Sequence, residues 1–241
     1  MRKSTWSKRT KLSFVLVFLA MPLVIYMGMN LADRKYYVVS VLLIGLSMFP
    51  FLYRFERRKP QARELLILSV LSAMAVISRT VFIFVPFFKP MAAVVMITGI
   101  SFGPEAGFLC GVLSSFVSNF IFGQGPWTPY QMFAFGMAGF LSGLFYKSGL
   151  LKRERSALAI HGAFIILLVV GPLLDLSALF TSVSSINWKN AGLFILSGFT
   201  VNTIHALATA VFLFLLSRPI FEKLDRMKLK YGLLEETSHE I

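Results

Sequence analysis

Apolar residues in this chain do not alternate with polar ones; they come in long runs separated by short polar or charged connections. The runs lie near 12–31, 37–53, 65–85, 90–102, 106–122, 129–146, 157–180 and 192–217. Most approach the roughly 20 residues that carry a helix, at about 1.5 Å per residue, across the hydrocarbon core of a bilayer. Unbroken apolar runs of this length predict membrane-spanning helices, hence an all-α polytopic membrane protein. The run 90–102 is short for a crossing. It is expected to draw in Pro86–Lys89 or to pack inside the bundle, where a short helix is tolerated.

Composition agrees: 56% of residues are hydrophobic and the mean hydropathy is +0.74. Only 15% of residues are charged, yet the formal net charge is +13, so the placement of the cations matters. Nucleic-acid binding needs them gathered on one folded face. Here they sit in clusters between apolar runs. With the N-terminus inside, the segments 1–11, 54–64, 103–105, 147–156 and 218–241 carry 19 Lys and Arg, against 4 in the outer connections. That asymmetry predicts eight spans in the cell membrane with both termini cytoplasmic. The first run follows a basic stretch, as in a secretory signal, but it is long and no A-x-A site follows. It is expected to be a retained helix. The lone cysteine, Cys110, sits in an apolar run and forms no intrachain disulfide.

The basic stretch Arg54–Pro60 divides the chain. Residues 1–63 are expected to form two N-terminal membrane helices and a hinge, and 64–217 a six-helix core. Residues 218–241 are expected to form a cytoplasmic tail, in which Ile220, Phe221, Leu224, Met227 and Tyr231 recur at helical spacing among cations. Such a tail either lies on the anionic inner leaflet or stays solvated.

The connection Gly123-Gln124-Gly125-Pro126-Trp127-Thr128-Pro129-Tyr130-Gln131 differs from the others in carrying no charge. Glycines allow tight turns, prolines fix φ, and Trp127 and Tyr130 are rings with one polar handle. This composition predicts a shaped outer lip over a pocket, or else an aromatic anchor at the interface.

Little in the chain supports catalysis. There is no phosphate-binding loop, no metal-binding spacing among His161, His205 and His239, and only Asp175 as an intramembrane carboxylate. A membrane serine hydrolase would need Ser142 or Ser197 with His205 as base. No catalytic residue, metal or cofactor is expected. Polar side chains instead gather toward the outer half of the core. Arg79 is costly there unless it snorkels, is paired or contacts a ligand. Asp175, after a helix break expected at Gly171-Pro172, is a partner for Arg79 or a ligand contact. Asn119, Gln124 and Gln131 supply amides around the lip. Asn202 and His205 share a helix face, either as interhelical hydrogen bonds or as ligand contacts. Ser69 and Ala73 form a small-xxx-small pair that allows close helix approach.

These residues resemble the substrate-binding S components of energy-coupling factor (ECF) transporters over roughly 64–217. The likeness rests on Ile77-Ser-Arg79, Lys89-Pro90, Gly103-Pro-Glu-Ala-Gly-Phe108, Ser118-Asn119-Phe120, the run Gly123–Met132, and Gly136, Gly139 and Gly143. The resemblance implies a six-helix ECF S-component core preceded by two extra N-terminal transmembrane helices. It implies capture of a vitamin or related micronutrient at the outer face and toppling in the membrane to release it. It also implies partners: a transmembrane scaffold (T component) and two cytosolic ATPase subunits. Ser69 and Ala73 stand where the family has an A-x-x-x-A scaffold contact, with serine replacing the first alanine. Within the family the chain is most similar to the cobalamin-type branch. Substrate contacts are then expected at Arg79, Asn119, Gln124, Trp127, Tyr130, Gln131, Asp175 and Asn202. Queuosine, a corrinoid precursor or another heterocycle stays open.

Overall fold

The computed structural model describes residues 62–183 and 187–231 and, ahead of them, Gly45, Met48, Phe49, 51–53, Phe55 and Glu56. The expected first span, most of the second, most of the basic hinge and the last residues of the tail lie outside the described residues. What is described is all-helical: α1 (Ala62–Thr80), α2 (Met91–Phe102), α3 (Pro104–Phe122), α4 (Thr128–Lys147), α5 (Arg155–Ile165), α6 (Gly171–Ser182) and α7 (Trp188–Tyr231). A π-helical turn, Ile166–Val170, joins α5 to α6. By length and composition, α3, the α5–α6 unit and α7 are each able to cross a membrane.

The bundle is built around α2. All twelve of its residues are buried, and it touches α1, α3, α4, α5 and α7. A helix this short cannot span, but one enclosed by its neighbours need not. Close packing around it depends on small residues. A methyl group at Gly107 would press on the Gly139 oxygen at 2.7 Å, and one at Gly143 would meet the Gly99 oxygen at 2.6 Å. Backbones at this distance gain dispersion contacts that bulkier residues would forbid. Between α2 and α3 the chain turns at Gly103, whose φ of 98° and ψ of 164° suit glycine alone. Pro104 then opens α3, with Glu105 in its first turn.

Three expectations need correction. The first core helix ends at Thr80 rather than near 85. Pro86 and Pro90 stop the helix, and residues 81–86 fold as turns, with Ile83 donating to the Thr80 carbonyl and Val85 to that of Phe82, both at 3.0 Å. Phe87 takes φ 61°, and Phe88 donates to the Pro86 carbonyl at 2.8 Å, a tight three-residue turn.

Gly171-Pro172 does not break its helix. Pro172 has no N–H and its ring crowds the carbonyl four residues back. The π turn widens the spiral so that Gly171 donates to Ile166 five residues earlier, and the helix continues.

The tail does not separate at 217. Helix α7 runs on through Pro219 to Tyr231, with Phe221 and Leu224 buried in the core cluster. Phe221 and Leu224 of its apolar face therefore pack on protein, while Tyr231 is exposed.

Basic residues of several connections lie at one end of the bundle. Arg153 pairs with Asp225, Arg63 lies over the Tyr231 ring, and Lys228 donates to the Ser101 carbonyl. The turns at 81–90 and the lip lie at the opposite end of α1, α3 and α4. Ser69 and Ala73 are exposed on α1, on the side away from Ser72 and Ala75, which are buried.

Candidate functional site

At that opposite end a polar network joins α1, α3, the lip and α4. Arg79 reaches inward from the last turn of α1 and is 9% exposed. Its Nη1 donates to Ser118 Oγ and, at 2.9 Å, to Asn119 Oδ1 on α3. Asn119 then spends both amide hydrogens: Nδ2 donates to Gln131 Oε1 at 2.8 Å and to Thr128 Oγ1 at 3.2 Å. Thr128 donates to Gln124 Oε1 at 2.9 Å and accepts from the Gly125 N–H at 3.1 Å. A hydroxyl has one donor and two acceptor positions, and Thr128 uses them all. Gln124 closes the chain by donating to the Phe116 carbonyl at 2.9 Å. A satisfied network of this kind holds the lip in one shape.

Two cations share this region. The Arg79 guanidinium and the Lys89 ammonium each lie 4.3 Å from the centre of the Phe122 ring. Burial, and then the Arg79 charge, push the Lys89 ammonium below its ordinary range. Among the described residues, no carboxylate pairs with either. The turns carrying Lys89 are tied to α7 by Phe82 and Phe88, whose rings meet Phe212 at 5.5 and 6.3 Å. His205 lies beside the Lys89 main chain and packs against Phe135 at 5.7 Å.

The expected site residues thus fall into separate groups. Arg79, Asn119, Gln124 and Gln131 are brought together in one network. Trp127 is 40% exposed, and its indole folds back over Gly125. Tyr130 corrects the picture of a lip with two outward rings: it is 1% exposed and packs against Phe180 of α6 at 6.1 Å. It belongs to the core with the rest of α4, which is buried on every side from Phe133 to Leu144. Asp175 does not pair with Arg79. It accepts from Asn202 Nδ2 at 2.8 Å, tying α6 to α7.

Sequence reasoning passed over Thr128, Ser118 and Lys89. Thr128 had a readable signal, a hydroxyl at a helix start within Gly-Pro-Trp-Thr-Pro, where Ser and Thr bond local main chain.

The hydrolase alternative fails on geometry. Ser142 meets His161 at 2.9 Å rather than His205. Its proton goes to the Ala138 carbonyl at 2.7 Å, so His161 is the donor in that pair and not a general base. Ser197 bonds the Phe194 carbonyl one turn back on an exposed face of α7.

A buried polar network closed by a lip at one end of a bundle suits recognition of a small molecule. A family model described as "ECF transporter, substrate-specific component" matches residues 63–222. The chain belongs to this family. No curated protein and no solved structure matches it significantly. As a substrate-specific component it is a membrane-embedded binding subunit and not an enzyme, and it works with a T component and ATPase subunits in an ECF transporter.

Proposed function

We propose that this S component captures a micronutrient, favouring cobalamin or another corrinoid, at the outer face of the cell membrane. The observation that carries this reading is the continuous network from Arg79 through Asn119, Gln131 and Thr128 to Gln124, beneath an uncharged lip. Amide donors and acceptors set beside Trp127 suit a bulky ligand rich in amides. Queuosine or a corrinoid precursor is the runner-up within the same site. Titrating the detergent-solubilised chain with cyanocobalamin, queuosine and riboflavin tests the choice. Saturable binding of the corrinoid alone is the expected result, and binding of queuosine or riboflavin in its place would displace it.

The same reading places both termini in the cytoplasm, supported by the basic end of the bundle. Single cysteines replacing Gln124 and Lys152, in a Cys110→Ser background, should label with an impermeant reagent from outside and inside respectively. The reverse pattern would invert the topology. Ser69 and Ala73, exposed on α1, are the proposed contact with the T component. Ala73→Leu should lower uptake while leaving substrate binding unchanged.

A further inference from the structure

We propose that the substrate taken at this end of the bundle carries an ionised acid group, a carboxylate or a phosphate, seated between Arg79 and Lys89. The proposal deepens the reading of this end as the substrate site and rests on it. A buried cation is costly unless its charge is answered. Among the described residues, Arg79 is bonded to two neutral acceptors, Ser118 and Asn119, and it shares the Phe122 ring with Lys89. Among the described residues, Asp175 on α6 is engaged by Asn202.

A second observation marks the same place as open to a ligand. His205 is 8% exposed, and its Nε2 is buried with no hydrogen-bond partner among the described residues. Its ring lies beside the Lys89 main chain. Two cations around one aromatic ring form a receptor for an oxyanion. The guanidinium fork donates to two oxygens at once and the ammonium supplies a point charge, while the imidazole Nε2 is open to a ligand donor.

Two measurements on the full detergent-solubilised chain test this. In the first, thermal unfolding is followed in phosphate and in chloride at matched ionic strength. Phosphate should raise the Tm of the wild-type chain by several degrees, because a ligand bound to the folded state stabilises it. The shift should vanish in Arg79→Gln and in Lys89→Gln, and persist in the exposed control Lys152→Gln. Lys89→Gln, in a connection, keeps the test decisive if Arg79→Gln does not fold. No shift in the wild type, or an equal shift in the variants, overturns the proposal.

In the second, binding is compared within matched pairs that differ in one acid group: cobinamide phosphate and cobinamide, flavin mononucleotide and riboflavin, pantothenate and panthenol. In a pair that binds, the acid should bind about tenfold tighter or better, and that advantage should disappear in Lys89→Gln. Equal affinities, or tighter binding of the neutral member, overturn the proposal. If every pair is refused while phosphate still stabilises the chain, the anion site stands and the micronutrient reading falls.

Discussion

The two ends of the bundle treat a cation and an aromatic ring in opposite ways. At the basic end, Arg153 lies over the rings of Tyr146 and Phe221, at 4.9 and 4.5 Å, and its Nη1 donates to both Asp225 oxygens, at 2.9 and 3.2 Å. Its charge is answered within the chain. At the other end, Arg79 and Lys89 share the Phe122 ring with no carboxylate between them among the described residues. The ring contact is common to both ends, so it does not distinguish structure from recognition. The counter-charge does. Where the protein supplies it, the contact closes a fold; where it does not, the position is open to a ligand.

Substitutions can break this contrast, beginning with the largest effect. Tyr130→Ala should act on stability rather than on recognition. Removing a fully buried aromatic side chain costs about 3–5 kcal/mol, and the loss should appear in denaturation of the purified chain. Weakened binding with an unchanged melting curve would return Tyr130 to the lip. Trp127→Ala should do the opposite, because its half-exposed ring covers Gly125 and stands outside the helix contacts. Truncating an aromatic hot spot costs about 2 kcal/mol, roughly thirtyfold in affinity. Isothermal titration should record that loss with little change in Tm.

Gln131→Leu removes one acceptor from Asn119. A net cost of about 0.5–1.5 kcal/mol in affinity is expected, the ordinary worth of one hydrogen bond. Arg153→Gln should do least. A partly exposed pair is worth about 0–1 kcal/mol, and the loss should appear as a small drop in Tm with substrate affinity unchanged. A large loss of binding in Arg153→Gln would mean that the two ends are not independent.

The limits of sequence reading follow the same division. Helix positions were legible because lipid and core both demand long apolar runs, and the run 90–102, too short to cross, left open either an extension through Pro86–Lys89 or the burial it shows. Arg79, Asn119, Gln124 and Gln131 were legible as polar residues that an apolar setting makes expensive. The interior face of Tyr130 was not, because a ring with a hydroxyl suits both an interface and a core. Enclosure of α4 by its neighbours decides between them. The pairing of Asp175 was equally hidden, since charge alone favoured Arg79 whereas packing of α6 on α7 set it against Asn202. Continuation of α7 past Pro219 was masked by the proline and by the switch to charged residues. Its tertiary contacts explain it, through Phe221 and Leu224 in the core, Asp225 on Arg153 and Lys228 on the Ser101 carbonyl.

That continuation has a mechanical consequence. At about 1.5 Å per residue, the 44 residues of α7 make a rod of about 66 Å, roughly twice the thickness of a bilayer's hydrocarbon core. Its basic end is pinned by Asp225 to Arg153 and by Lys228 to the end of α2, while Asn202 and His205 ride farther along the same shaft. Pro219 lies between the pinned end and Asn202, and its missing N–H makes it the point at which the shaft bends most easily. Rotating such a rod by about 10° about one end sweeps the other through about 11 Å, a displacement comparable to the diameter of a helix.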